Sequence, residues 1–197
     1  MDLTNRWSRV LRVPMFRPAM IALCLIPGMT SAVRTSDLPP QQLPIHGGGG
    51  GTSFTRTCGD NRVMTGFQYR RGLWIDGIGL LCRPVTASGT LGAESAGSIA
   101  GGTGGTFGTK SCPAGSVVAG GVVQYGSVVE TFRINCREWK AATRSFGTAE
   151  VVVSVVGNNA TLPTGRTNCA NAVQPVVAIR GRAGAFVDAV GFTCDEP

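Results

Sequence analysis

The chain has 197 residues, 29 of them glycine, with 43% hydrophobic residues and a formal charge of +7 at pH 7. Glycine at roughly twice ordinary usage, without a Gly-X-Y period, excludes collagen, and the valine and isoleucine content argues against disorder. The single histidine, His46, argues against a Ser-His-Asp triad or a multi-histidine zinc site; with no evident partner in the sequence, it reads as incidental.

The first 32 residues read as a secretory signal peptide. Arg6, Arg9, Arg12 and Arg17 precede an apolar run over 19–29 that ends in Thr30-Ser31-Ala32, the order of basic, apolar and small residues that export requires. Met15 is an alternative start for a compact signal. The run is too short, and too broken by Pro27 and Gly28, to span a bilayer, so a secreted or periplasmic location without membrane insertion is expected. Removing 1–32 takes away four arginines and one aspartate, and the charge falls from +7 to +4. That modest balance, with no Lys/Arg stripe interleaved with aromatics, argues against nucleic-acid binding.

A Pro-rich lead-in over 33–46 precedes one domain, 47–197, built of three repeats at about 47–90, 97–144 and 147–197. Repeat one opens on the glycine run 47–51 and Phe54, and closes on Gly72-Leu73-Trp74-Ile75-Asp76. Repeat two opens on Gly101-Gly102-Thr103-Gly104-Gly105 and Phe107, and closes on Gly126-Ser127-Val128-Val129-Glu130. Repeat three has only Gly157-Asn158-Asn159 at its opening but closes on Gly184-Ala185-Phe186-Val187-Asp188. Asn159-Ala160-Thr161 is a glycosylation sequon, meaningful in a eukaryotic secretory pathway.

Six cysteines remain after export: Cys58, Cys82, Cys112, Cys136, Cys169 and Cys194. They are spaced 24, 24 and 25 residues within successive pairs and 30 and 33 between them. Six cysteines allow fifteen connectivities; the regular spacing favours 58–82, 112–136 and 169–194, one bridge per repeat. An even count in an exported chain points to disulfides, and the lack of any Cys-x-x-Cys pair argues against zinc ribbons and thioredoxin-like redox sites.

Each repeat reads as strands. A valine-rich run over 117–123 is interrupted by Gly120 and Gly121. Phe132, Ile134 and Cys136 alternate with Thr131, Arg133 and Asn135, a period of two. The β-branched run 151–156 suits a buried strand, and 138–143 allows one short helical turn. The fold class is all-β, with three Greek-key-like units packed about a pseudo-threefold axis because none buries a core alone.

The element that carries chemistry is Gly-x-x-x-(Asp/Glu), once per repeat. A glycine permits φ > 0 and close approach of a ligand to the backbone. The amides that follow are donors, and a carboxylate accepts two hydroxyls at once. Such a cluster suits a neutral polyhydroxylated ligand, with Trp74 and Phe186 available to cover an apolar sugar face. The same spacing also describes a plain turn followed by a polar strand start.

The segments Gly-Gly-Gly-Gly-Gly-Thr-Ser-Phe at 47–54 and Arg-Ala-Gly-Ala-Phe-Val-Asp-Ala-Val-Gly at 182–191 resemble the two signature segments of jacalin-related lectins, and 72–79 resembles the closing segment again. The threefold repeat with regular cysteines is also similar to vitelline membrane outer layer proteins, which share the β-prism fold. The resemblance implies a β-prism with metal-independent sugar sites and no cofactor, binding glycans or glycoconjugates. Those sites comprise Gly184, Ala185, Phe186, Val187 and Asp188 in one loop and Gly72, Leu73, Trp74, Ile75 and Asp76 in another. The runs at 47–51, with Gly48 and Gly49, and at 101–105 form their second walls. In repeat two Glu130 replaces the aspartate, and its extra methylene displaces the carboxylate.

Asp60 and Asp76 fall in repeat one, whereas Asp76, Glu130 and Asp188 hold equivalent positions in three separate repeats. Carboxylates related by a threefold axis lie too far apart for the roughly 5–10 Å that glycoside hydrolysis needs, so an enzyme is not expected. The glycine runs lack the Gly-Lys-Ser/Thr of a phosphate loop. The competing reading is a structural, envelope or interaction protein that uses the prism as a disulfide-stapled scaffold.

Overall fold

The structure, a computed structural model, describes residues 38–155 and 162–197. The expected signal peptide at 1–32, and the degenerate glycine segment and sequon at 157–161, lie outside the described residues. In chain order the strands are β1 (Gln41–Gln42), β2 (His46–Gly47), β3 (Thr52–Thr57), β4 (Arg62–Arg71), β5 (Ile75–Pro84), β6 (Ser95–Ala96) and β7 (Ala100–Gly101). They continue as β8 (Thr106–Ser111), β9 (Ser116–Tyr125), β10 (Val129–Lys140), β11 (Ser145–Val155), β12 (Thr164–Asn168), β13 (Val176–Ala183) and β14 (Val187–Cys194). A single 3₁₀ turn, Ala141–Thr143, is the helical element among the described residues, within the stretch where the sequence allowed one turn. The protein is all-β.

The strands form three antiparallel sheets, each built on a long hairpin: β13–β14 in sheet I, β9–β10 in sheet II and β4–β5 in sheet III. In sheet I, β3 lies beside β13 and β1 and β2 lie beside β14. In sheet II, β12 lies beside β9 and β11 beside β10. In sheet III, β8 lies beside β4 and β6 and β7 lie beside β5. The pattern is the same three times over.

The sheets are not the sequence repeats. The flanking strands of each hairpin come from the repeat that follows it, and those of the third hairpin come from the first repeat, so the pairing runs in a circle. Residues of the Pro-rich lead-in take part in that closure. Leu43 N–H donates to Phe192 O at 2.9 Å, Arg180 Nη2 donates to Leu43 O at 2.7 Å, and Leu43 is 5% exposed. His46 stacks on Tyr125 of sheet II with ring centroids 6.0 Å apart, and a side chain at Gly165 would strike its imidazole at 2.1 Å.

The disulfides are Cys58–Cys82, Cys112–Cys136 and Cys169–Cys194. Because the opening strand of each repeat sits on a neighbour's hairpin, each bridge crosses between sheets. The first joins the end of β3 in sheet I to β5 in sheet III, the second β8 in sheet III to β10 in sheet II, and the third β12 in sheet II to β14 in sheet I. Three bridges therefore close a covalent ring through all three sheets.

One phenylalanine from each hairpin fills the centre. Phe67 and Phe132 meet edge to face at 4.9 Å, Phe132 and Phe192 stack at 5.7 Å, and all three are fully buried. Gly121 makes room for this cluster, since a Cβ there would lie 2.6 Å from the Phe192 ring. The alternation over 131–136 sends Phe132, Ile134 and Cys136 inward, but Thr131 and Asn135 are buried too; the Asn135 amide donates to Asn168 Oδ1 at 2.8 Å, which satisfies the buried donor. The valine run expected to form a buried strand is the margin of sheet II instead. In β11, Val151 and Val152 are each about half exposed, because β-branching selects a strand without selecting a central place in the sheet.

Candidate functional site

The turns of the three hairpins are the three Gly-x-x-x-(Asp/Glu) segments. Each is closed by the same bond, from the glycine N–H to the carbonyl two residues on: Gly72 to Trp74 at 3.1 Å, Gly126 to Val128 at 3.0 Å and Gly184 to Phe186 at 2.8 Å. Ile75, Val129 and Val187 are fully buried and anchor the loops to the core. The residues before them are on view: Leu73 is 62% and Trp74 37% exposed, Ala185 is exposed and Phe186 half-buried. Among the candidate site residues, Ile75 and Val187 thus face inward while their neighbours face out.

The glycine runs dock where the closing segments end. Gly48 N–H donates to Asp188 O at 2.8 Å, and Gly102 N–H donates to Asp76 O at 2.7 Å. This pairs the run 47–51 with loop 184–188, as site A, and the run 101–105 with loop 72–76, as site B. The glycines are required by contact. A Cβ on Gly50 would lie 2.4 Å from Asp188 Oδ1, and one on Gly51, where φ is +60°, would lie 2.4 Å from Asp188 Oδ2; Gly105, φ +65°, stands in the same relation to Asp76 Oδ2 at 2.5 Å. A Cβ on Gly49 would meet nothing within 4 Å, so the run is open to solvent at its crest and packed on the carboxylate beneath.

The two carboxylates differ. Asp76 is 7% exposed, and its Oδ2 accepts the Gly72 N–H at 2.6 Å. Asp188 Oδ2 is buried and has no hydrogen-bond partner. Buried acceptors are nearly always paired, so site A holds an acceptor that its own loop leaves unmatched, whereas site B partly satisfies its carboxylate internally. In the hairpin of sheet II Glu130 takes the equivalent position, but the segment corresponding to its glycine run lies outside the described residues.

Arginines set the glycine runs in place, a role the sequence reading did not assign. Arg182 donates from Nε to Gly50 O at 2.7 Å and from Nη2 to Gly51 O at 2.6 Å. Arg70 donates from Nη1 to Thr103 O at 3.1 Å. Both stand two residues before the loop glycine, next to a β-bulge, Arg182/Ala183 or Arg70/Arg71, which re-aims side chains. Repeat two has Gln124 there. The signal was present in the sequence as an arginine shared by the two repeats that also keep the aspartate.

The sites share walls. Trp74 and Phe186 meet edge to face at 4.9 Å, a favourable aromatic geometry. A Cβ on Gly102 would lie 2.2 Å from Ala185 O, and one on Gly48 would lie 2.1 Å from Ser127 O. Each glycine run is thus wedged between the closing loops of two sheets, and loop 184–186 closes site A while walling site B. Among the described residues no group of three His, Cys, Asp or Glu side chains is placed to hold a metal ion, and no helix is long and apolar enough to cross a membrane.

The sequence matches no protein-family model and no curated protein. Solved structures do match in shape. Wild-type Malaysian banana lectin is 18% identical, with a TM-score of 0.55 over 80% of this chain and 99% of its own. A mannose-binding jacalin-related lectin from Ananas comosus is 20% identical, with a TM-score of 0.55 over 80% and 99%. Artocarpin, solved with mannotriose, is 12% identical, with a TM-score of 0.59 over 79% and 97%. Such identities carry the architecture and no more, and three hairpin-centred sheets with glycine runs docked on their turns are the jacalin-like β-prism fold, which is the fold of this chain.

Proposed function

We propose that this is an exported carbohydrate-binding protein whose sugar site is formed by the glycine run 47–51 and the loop 184–188, without a metal. The observation that carries the reading is the Asp188 carboxylate, which lies beneath Gly50 and Gly51 with an unpartnered Oδ2. It is an acceptor-only group, half-buried beside the exposed residues Gly49, Gly50, Gly51 and Ala185, a combination suited to neighbouring hydroxyls of one sugar ring. Trp74 and Phe186 add an aromatic surface at its side. The mannose-binding and mannotriose-bound neighbours of the same shape support glycans as the ligand class. Site B is the weaker of the two, because Asp76 already accepts the Gly72 amide. Three disulfides fit an oxidising compartment.

A glycan array on the full protein, followed by calorimetry with mannose and mannotriose, tests this. A hit that is lost in Asp188→Asn supports the reading. Silence across a broad array overturns it and leaves the disulfide-ringed prism as a scaffold or interaction protein.

A further inference from the structure

β11 departs from the threefold pattern of the prism. The strand beside β14 is broken into β1 and β2, and the strand beside β5 into β6 and β7, each two residues long. β11 instead runs unbroken beside β10 for 11 residues. No strand among the described residues covers its outer side, so a continuous row of backbone donors and acceptors stays open there. Short edge strands and charged side chains blunt such rows. The opposite margins have both: β3, β8 and β12 are 6, 6 and 5 residues long and carry Arg56, Lys110 and Arg166. In β11, Ala-Glu-Val-Val-Val-Ser-Val over 149–155 has no proline or glycine and a single charge, and 148–152 are exposed.

The register across sheet II sets what this edge can meet. Ser154, Val152 and Glu150 of β11 stand opposite Arg133, Asn135 and Arg137 of β10, while Val153 and Val151 stand opposite the inward-facing Ile134 and Cys136. Glu150 Oε2 accepts from Arg137 Nη2 at 3.3 Å, which leaves Oε1 for a second donor. Arg133 takes part in neither salt bridge among the described residues, and its Nε is buried without a partner. The short side chain of Ser154 stands between Arg133 and the open edge.

We propose that β11 is a dimerisation edge, pairing antiparallel with β11 of a second copy of this chain about a two-fold axis at Val152. This register matches charge. It sets Glu150 opposite Ser154 of the second copy, with Arg133 of that copy one strand farther on. Two strand spacings, about 10 Å between Cα atoms, then separate Glu150 from that arginine, a gap that the two side chains span together. By symmetry the ion pair forms twice. Centring the axis on Val151 would put Val152, with Asn135 behind it, opposite Glu150, and centring it on Glu150 would set like charges face to face. At the Val152 axis, Val152 meets its own copy and Val151 meets Val153, β-branched cross-strand pairs that suit a sheet. The paired strands run in opposite directions, so the turn ends of the two prisms, with sites A and B, point apart. The pairing holds whatever those turns bind.

Sedimentation velocity over a concentration series tests this on the full protein, and wild type is expected to dimerise. Val152→Lys puts two like charges together on the axis, and Arg133→Glu sets a carboxylate against Glu150. Each should weaken dimerisation by about tenfold or more and keep the far-UV spectrum of wild type. Val152→Cys should give a disulfide-linked dimer on mild oxidation, because directly opposed residues lie within disulfide range. Thr148→Cys, away from the axis, should not. In hydrogen exchange, rising concentration should protect β11 and leave β3 and β8 unchanged. A wild type that stays monomeric at every concentration overturns the proposal. A dimer that both Val152→Lys and Arg133→Glu leave intact, or one that crosslinks through Thr148→Cys and not through Val152→Cys, overturns it too.

Discussion

Arg182 grips Gly50: its Nε donates to the Gly50 carbonyl at 2.7 Å, while its Nη2 holds the next carbonyl, that of Gly51. The run has no side chains of its own with which to fix its path, so a planar fork of donors from β13 does so. Arg182→Lys keeps the charge and loses the fork. It should weaken sugar binding at site A by about tenfold, in line with the loss of one hydrogen bond to a charged group, and leave the melting temperature within a few degrees. Calorimetry beside thermal denaturation checks this; unchanged affinity would mean that the run holds its shape unaided.

The two aspartates should respond differently. Asp188→Asn removes the charge-assisted part of two ligand bonds and keeps the loop, so affinity should fall tenfold or more with little effect on stability. Asp76→Ala strips the Gly72 amide of its 2.6 Å carboxylate partner and should lower stability by about 1–3 kcal/mol, read from urea unfolding. Glu130→Gln should change neither. If Asp188→Asn unfolds the protein, its carboxylate is a structural cap and no ligand group.

Neighbouring glycines of one run should likewise part company. Gly51→Ala places a Cβ 2.4 Å from both the Ala183 backbone and the Asp188 carboxylate, at φ +60°, and is expected to cost at least the roughly 1–2 kcal/mol of a left-handed residue together with sugar binding. Gly49→Ala meets nothing within 4 Å; it should fold like wild type, and the added methyl should weaken binding by intruding where the ligand lies. Equal melting temperatures for the two variants would refute the docking of the run on Asp188.

Cys169 and Cys194 belong to one repeat and to two sheets. Replacing both with alanine opens a loop of about 25 residues and should cost about 3 kcal/mol. The loss should appear in hydrogen exchange as opening of β12 and β14 together, since the bridge ties one to the other. Peptide mapping of the unreduced protein should find three bridges, each within its own repeat.

Local pattern determined much of this protein. The threefold recurrence of the cysteine spacing identified the three pairs, while a period of two and β-branched runs identified strands and Gly-x-x-x-(Asp/Glu) marked the hairpin turns, because these patterns report on geometry within a few residues. Which sheet a strand joins was not legible. The Phe54 and Phe107 strands suit their own hairpins as well as a neighbour's, and only closure of the prism places β3 on β13 and β8 on β4. The same non-local choice turned each intra-repeat disulfide into a link between sheets and left Val151 and Val152 on a half-exposed margin. It also brought Arg182 to Gly50, 132 residues away in sequence, and decided that Asp76 meets its own loop amide while Asp188 keeps an oxygen free: hydrogen-bond partners depend on where strands end in space, which side-chain periodicity does not encode.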